Sequence, residues 1–329
     1  MLNALSVDVE DYFQVSAFAT TIDPSTWDQY DCRVERNTLA LLDLFERRRT
    51  TGTFFVLGWI AKRFPALVKE IHARGHEVGS HGDAHRTLDR LSAVEFRKEV
   101  REQKALLEDL TQSPVLGYRA PSFSVTRDTT WALQVLSEEG YRYDSSVFPV
   151  HHDRYGIPDA PRFPYDVALP VGTLREFPLS TLAVRGLPNV PIGGGGYLRI
   201  YPFWFTRWGL RKINRGEGQP VVVYLHPWEI DPEQPRVRAP RLSRWRHYTN
   251  LNSTARRVDR LLGEFRFAPM RTVLGFATES APDSDSDDAV VSAATSRGYS
   301  HTTASNGSRH EARPQSVDRS SDHTAWVGS

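Results

Sequence analysis

Residues 51–85 read TGTFFVLGWIAKRFPALVKEIHARGHEVGSHGDAH. The run TGTFFVLG is short and apolar, as expected of a buried strand. IAKRFPALVKEIHARG follows with helical spacing and is closed by Gly75, so one helix is expected there. HEVGSH then reads as the next strand, and it ends on His81 with His85 four residues further on. On a helix that spacing stacks two imidazoles on one face, about one turn apart, and a tight loop after a strand can do the same. Two imidazoles aimed at one point suit a divalent metal. In isolation the pair reads first as two surface or capping histidines, and the acidic strand end brings the metal reading ahead.

The strand–helix alternation continues on both sides. NALSVDVED is a strand ending in acids, and RVERNTLALLDLFERRRT carries Leu39, Leu42 and Phe45 at helical spacing. SAVEFRKEVREQKALLEDLTQ is a strong helix with Ser92 as its cap. After LGYRAPSFS come a helix around DTTWALQVLSEEG, the segment YRYDSS, a proline-rich excursion, LREFPLS and the apolar strand of PVVVYLHPWEI. Regular βα alternation of this kind predicts an α/β fold with a mostly parallel sheet or barrel. In such folds, sites lie at the carboxyl ends of the strands. Asp8, Glu10, Asp11, His81, Arg119, Asp144 and His226 all fall at or near predicted strand ends.

The chain as a whole excludes several classes. It has 329 residues, a formal net charge of +1 and a mean hydropathy of -0.45, which gives no nucleic-acid or membrane signature in the overall balance. Cys32 is the single cysteine, so no internal disulfide or cysteine-rich zinc site can form. The N-terminus MLNALSVDVED lacks a basic and an apolar signal region, and no apolar run approaches membrane-spanning length. A cytoplasmic protein is expected, acting at most at the inner face of the membrane. Residues 279–329 are rich in Ser, Asp, Ala, Thr and Arg and have few large apolar side chains. Such a segment cannot bury enough surface to offset its ordering entropy, so a disordered tail is expected after a 1–278 domain.

Within that domain the polar residues suggest a hydrolytic site. His81 and His85 supply two nitrogens, and the acidic strand end supplies a carboxylate oxygen, a common catalytic zinc arrangement. Asp8 and Glu10 point to one side of an extended strand, whereas Asp11 points away unless the strand has turned. Glu10 is therefore the preferred ligand, with Asp11 in reserve. Asp8 can serve as general base, and Arg119 of YRAPSF can hold it ionised through a bidentate pair. The bland alternative for Arg119 is a structural ion pair. His226, after an apolar strand and pinned by Pro227, sits where a catalytic acid could reach the pocket, and Asp144 could raise its pKa. A buried histidine satisfied by a carbonyl is the rival reading. The four glycines of PIGGGGYLRIYP match neither a dinucleotide fingerprint nor a phosphate loop, and read as a plain turn or a substrate-contacting loop. The aromatic and basic run YLRIYPFWFTRWGLRKINR fits either a core-packing helix or a membrane surface meeting a lipid-linked substrate.

Taken in order, the acids, HxxxH, RAPSF, DSS and LHP resemble the polysaccharide deacetylases of carbohydrate esterase family 4, with the NodB-homology domain. The resemblance spans roughly residues 1–275. It extends to the subgroup found with exopolysaccharide and exosortase systems through Asp8–Phe13, Ser80–His85, Leu225–Asp231 and Arg246–Leu251 of a C-terminal extension from about residue 197. The resemblance implies a distorted (β/α)7 barrel and hydrolytic removal of N-acetyl groups from amino sugars of a glycan or glycan precursor. It makes Asp8 the base, Arg119 its tether, His226 the acid oriented by Asp144, and Glu10 or Asp11 with His81 and His85 the ligands of a divalent metal, Zn2+ foremost. Two positions depart from the family pattern. Its first motif is an adjacent Asp pair, here Asp8-Val9-Glu10-Asp11, and the Ser or Thr after its first histidine is here Gly82. Rival readings are an amidohydrolase or O-acetyl esterase acting on another substrate, and a silent glycan-binding protein.

Overall fold

The computed structural model describes residues 1–276, apart from 153–154, 185 and 187. The expected tail, with the histidines it contains, lies outside the described residues. In chain order the strands are β1 Leu2–Val9, β2 Thr53–Val56, β3 Glu77–Ser80, β4 Gly117–Tyr118, β5 Tyr143–Asp144, β6 Tyr165–Ala168, β7 Thr173–Glu176, β8 Thr181–Leu182, β9 Val190–Pro191, β10 Val222–Leu225 and β11 Arg266–Ala268. The helices are α1 Val34–Arg47, α2 Gly58–Arg63, α3 Pro65–Ala73, α4 Ala93–Thr111, α5 Trp131–Glu138, α6 Gly196–Ile200, α7 Phe203–Arg211, α8 Arg241–Tyr248, α9 Leu251–Glu264 and α10 Met270–Val273.

Strands β10, β1, β2, β3, β4, β5 and β7 pair in that order and all in parallel, with β6 antiparallel on the outer edge of β7. β11 pairs in parallel with the start of β1. The β1 side chains are buried from Asn3 onward, as a parallel strand covered on both faces requires. On one side Val7, Val9, Phe54 and Val56 share a core with Leu41 and Phe45 of α1, Val68 and Ile71 of α3, and Phe96 and Val100 of α4. Phe45 is fully buried there, and its truncation to alanine would cost about 3–5 kcal/mol.

Among the described residues no ladder joins β7 to β10. The chain after β7 crosses that gap instead. Ser180 Oγ accepts from Val222 N, Gly193 O accepts from Tyr224 N, and Tyr224 O accepts from Gly195 N. This explains the glycine run. A Cβ on Gly194 would lie 1.9 Å from Tyr224 O, so only glycine lets the two backbones meet.

One expected element is divided. The helix expected over IAKRFPALVKEIHARG is two, because Pro65 has no N–H to continue α2 and disfavours helical geometry at Phe64, whose φ and ψ are -126° and 59°. By contrast, Ser92 caps α4 as expected, in a reciprocal capping box with Glu95. On α7, Trp204 and Trp208 remain exposed while Thr206, Gly209 and Leu210 face inward. No described helix is long and apolar enough to cross a membrane.

Candidate active site

The parallel order decides what meets at the strand ends. β10 lies beside β1, so His226 arrives next to Asp8 and Glu10, and β3 two places along brings His81 to the same rim. Glu10, His81 and His85 place one ligand atom each within 4.8 Å of one another. His85 Nε2 lies 2.8 Å from Glu10 Oε2, and the histidine rings stand 5.5 Å apart. His81 Nδ1 donates to the Arg119 carbonyl at 2.8 Å, which fixes the tautomer and leaves Nε2 as a lone pair. Positive φ values at Gly82 (76°) and His85 (52°) fold the loop tightly enough to aim both rings at one point.

Electrostatics prepare the cluster for a cation. Burial alone would raise the Glu10 carboxyl, but the charges of His85 and His226 and the hydrogen bond from His85 outweigh it and hold its pKa near 2. Burial pushes His81 down to about 4, so it is a neutral ligand at physiological pH. Glu10 Oε2 is buried with His85 Nε2 as its near neighbour, an expensive place for an ionised oxygen unless a positive charge faces it. Two imidazole nitrogens and one carboxylate therefore fit a divalent metal, and the donor set suits zinc.

Asp8 and Arg119 form a buried pair. Arg119 Nη1 donates to Asp8 Oδ1 at 2.7 Å and to Ser6 Oγ at 2.7 Å, while Nε donates to Ser145 O and Nη2 to Ser145 Oγ. The guanidinium lies 4.4 Å from the centre of the Phe55 ring. Asp8 Oδ2 is left toward the cleft, 3.8 Å from His226 Nε2, which is also 3.5 Å from Glu10 Oε1. Burial opposes a charge on His226, but the carboxylates of Glu10, Glu229 and Asp8 outweigh it and push the pKa up to about 9. His226 is thus a cation at neutral pH, with Nε2 facing the acids.

Two expected roles are corrected. Asp11 is not in the cluster. Its oxygens accept from Tyr12 N (2.8 Å), Arg33 N (2.6 Å) and Val34 N (2.8 Å), which satisfies donors at the start of α1. The strand does turn after Glu10, but it turns Asp11 toward that helix. Asp144 does not orient His226. It accepts from Ser146 N and Ser146 Oγ and lies beside Glu176, whose carboxyl is driven well above its usual range by burial and the Asp144 charge. Ser146 Oγ in turn accepts from Ala120 N, so Asp144 braces the RAPSF loop from β5, several strands from β10.

The carboxylate on His226 is Glu229. Its Oε1 is 2.5 Å from His226 Nδ1, and it is fully buried one short turn further along LHPWEI. An acid three residues after a histidine, across a proline, was the available signal. Glu99 of α4 was also unanticipated. Its oxygens accept from Asp83 N and Arg86, which holds the metal loop where Gly82 lacks a hydroxyl.

These groups open onto a cleft of about 960 Å³. Its walls include Phe13, Trp27, Trp228, Tyr224 and the Ser122 turn of RAPSF. A cleft of that size, with aromatic faces beside a carboxylate and imidazole cluster, suits a ligand larger than a single sugar.

The fold is thus a parallel β/α sheet with a carboxylate and imidazole cluster at its strand ends. Comparison with known proteins narrows the reading. Residues 20–143 match the family model described as polysaccharide deacetylase, and residues 145–275 match a domain of unknown function, DUF3473. Residues 20–143 are thus similar to the polysaccharide deacetylase family, and the second match begins two residues after the first ends. The first match contains His81, His85 and Arg119, and the second contains His226 and Glu229. A peptidoglycan-N-acetylglucosamine deacetylase of Bacillus cereus is 34% identical over 86 residues, 26% of this chain and 29% of that protein. A chitooligosaccharide deacetylase of Rhizobium leguminosarum bv. trifolii is 30% identical over 112 residues, 34% of this chain and 47% of that protein. The chain thus spans less than half the length of both. A solved Mycobacterium smegmatis structure, taken to be a polysaccharide deacetylase, superimposes with a TM-score of 0.57 at 22% identity, over 83% of this chain and 88% of that one, which shows the shared fold.

Proposed function

We propose that this protein is a metal-dependent hydrolase that removes N-acetyl groups from amino sugars of a polysaccharide or its precursor, releasing acetate. The observation that carries the reading is His226 Nε2 lying 3.8 Å from Asp8 Oδ2 and 3.5 Å from Glu10 Oε1, beside two convergent imidazoles. Glu10, His81 and His85 would hold the cation, zinc foremost, which would supply Lewis acidity toward the acetamide carbonyl.

The chain's own residues account for the proton movements. Arg119 engages Asp8 Oδ1 and leaves Oδ2 to take a proton from the attacking water. His226 Nε2 gives a proton to the departing amine, which leaves poorly without one. The developing oxyanion needs a fixed donor. In the RAPSF loop, Arg119 N, Ala120 N, Phe123 N and Ser124 N have acceptors and Pro121 has no N–H, so we assign that donor to Ser122 N. Water adds across the amide C–N bond, and the products are acetate and a free amino sugar. The similarity to glycan deacetylases supports an N-acetylated glycan as substrate, and the DVEDYF and LHPWEID motifs favour an exopolysaccharide. The exposed Trp204 and Trp208 beside Arg211 and Lys212 suit contact with a membrane that presents a lipid-linked precursor.

The test measures bound metal by elemental analysis together with acetate release from N-acetylated oligosaccharides and from O-acetylated sugars. Wild type and His81→Ala/His85→Ala are compared. One divalent metal, lost together with acetate release in the double variant, supports the reading. Folded wild type that takes up no zinc sinks it. Metal without turnover points to a glycan binder, and turnover of esters alone points to an O-acetyl esterase.

A further inference from the structure

The acid half of the site is built by the segment that has no assigned function. Glu229 has two carboxylate oxygens with separate tasks. Oε1 receives His226 Nδ1, and Oε2 receives Arg199 Nε at 2.6 Å. Arg199 comes from α6 and is 2% exposed. Its Nη1 donates to three carbonyls at the junction of α8 and α9, Arg246 O (3.0 Å), His247 O (2.8 Å) and Thr249 O (2.9 Å). Its own carbonyl accepts from Asn250 Nδ2 and Arg257 Nη1, so its backbone is tied to the same junction.

An aromatic stack runs alongside. The Arg199 guanidinium lies 5.1 Å from the centre of the Trp228 ring. Trp228 stacks on His226 at 5.2 Å and on His247 at 4.1 Å, and its indole N–H reaches Glu10 Oε1 at 3.3 Å. His247 is anchored in turn by Gln234 at 2.6 Å. Arg199, Trp228, Glu229, Gln234 and His247 all lie between 145 and 275, and none lies in the 20–143 match.

We infer that Arg199 is a positioning residue for His226, acting through Glu229, and that the segment over 145–275 serves to complete the acid half of the active site. A buried carboxylate held on one oxygen by the Nε–H of an anchored guanidinium is restrained from rotating, which keeps its other oxygen on His226 Nδ1. That bond holds the proton on Nδ1 and fixes the ring plane, while the Trp228 face blocks the ring from tipping. Nε2 is thereby kept aimed at Asp8 and Glu10, where a leaving amine would sit. The inference rests on the deacetylase reading for its catalytic meaning, while the geometry it assigns to His226 stands apart from any substrate.

Because removing the guanidinium strands a buried carboxylate, Arg199→Ala is studied with and without added guanidinium, and Arg199→Lys serves as the folded partner. Lys keeps the charge but cannot reach Glu229 and three carbonyls with fork geometry. Full-length protein is assayed on an N-acetylated chito-oligosaccharide, with 15N spectra of the histidines and metal content measured in the same samples. The expected result for Arg199→Lys is a fall in kcat of about 10- to 100-fold at little changed KM and metal content. His226 should lose its hydrogen-bonded Nδ1–H signal in the spectra, and guanidinium should restore part of kcat to Arg199→Ala. Unchanged kcat with an unchanged His226 Nδ1–H signal in Arg199→Lys overturns the inference. So does an equal loss of kcat, metal and thermal stability that guanidinium does not repair. If the wild type releases no acetate, the functional reading fails on its own, and the His226 spectra still decide the role of Arg199.

Discussion

Replacing Glu229 with glutamine separates the two carboxylates that compete for His226. The Glu229→Gln side chain keeps its volume but loses its charge, while Asp144→Asn makes the same change in the acid that the sequence favoured. In the structure Glu229 Oε1 is 2.5 Å from His226 Nδ1 in a fully buried position, whereas Asp144 is occupied by Ser146 and Glu176. A charge-assisted hydrogen bond in such surroundings contributes about 1.5–3 kcal/mol, and at 1.36 kcal/mol per decade its loss lowers the rate by about 10- to 150-fold. The amide left behind can still touch Nδ1, but it no longer favours the imidazolium that must deliver a proton. The assay is acetate release from an N-acetylated oligosaccharide at saturating substrate, with bound metal and thermal midpoint as controls. Glu229→Gln should lose kcat by that factor with its metal retained, and Asp144→Asn should lose far less. A larger loss in Asp144→Asn, with Glu229→Gln near wild type, would refute the assignment and restore Asp144 to the role the sequence suggested.

Three further outcomes follow from the same geometry. Asp11→Ala should bind metal like the wild type but lose about 1–2 kcal/mol of stability in urea unfolding, because it removes a cap at the start of α1; metal loss with stability intact would return Asp11 to the ligand set. Gly82→Thr should lower both zinc affinity and thermal midpoint, since φ there is 76° and a Cβ would meet Glu99 Oε1 at 3.1 Å and Pro121 Cγ at 3.2 Å. The strain is worth about 1–3 kcal/mol, and a variant as tight and as stable as wild type would show that the loop adapts. Burial, helped by Arg74, depresses the buried His76 to about 4, and its Nδ1 accepts from Gly52 N. The unfolded histidine takes up a proton near pH 6.5 and the folded one only near 4, so this contribution is present above 6.5 and lost as pH falls toward 4. It amounts to about 3 kcal/mol. His76→Gln, which can still accept from Gly52, should flatten the urea midpoint against pH across that window; parallel curves would remove His76 as the cause.

The alternation of strands and helices is set locally. Apolar runs such as TFFV and VVYL can be buried only as strands covered on both faces, the reciprocal cap at Ser92 starts α4, and the chain order of these elements specifies a parallel β/α fold. The same local rules place Asp8, His81 and His226 at strand ends, and the two-residue repeat of a strand puts Asp8 and Glu10 on one side. A periodicity reports which face an element buries, but not which element lies beside it. Only the sheet order puts β10 against β1, so that His226 meets acids 218 and 216 residues earlier in the chain. Only the turn after Glu10 sends Asp11 to cap α1 instead of joining the cluster. The choice between Asp144 and Glu229, and the arrival of Arg199 behind Glu229, depend on the packing of α6 against the α8–α9 junction. Those contacts are long-range and side-chain specific, and folding the whole sheet is what brings them within hydrogen-bonding distance.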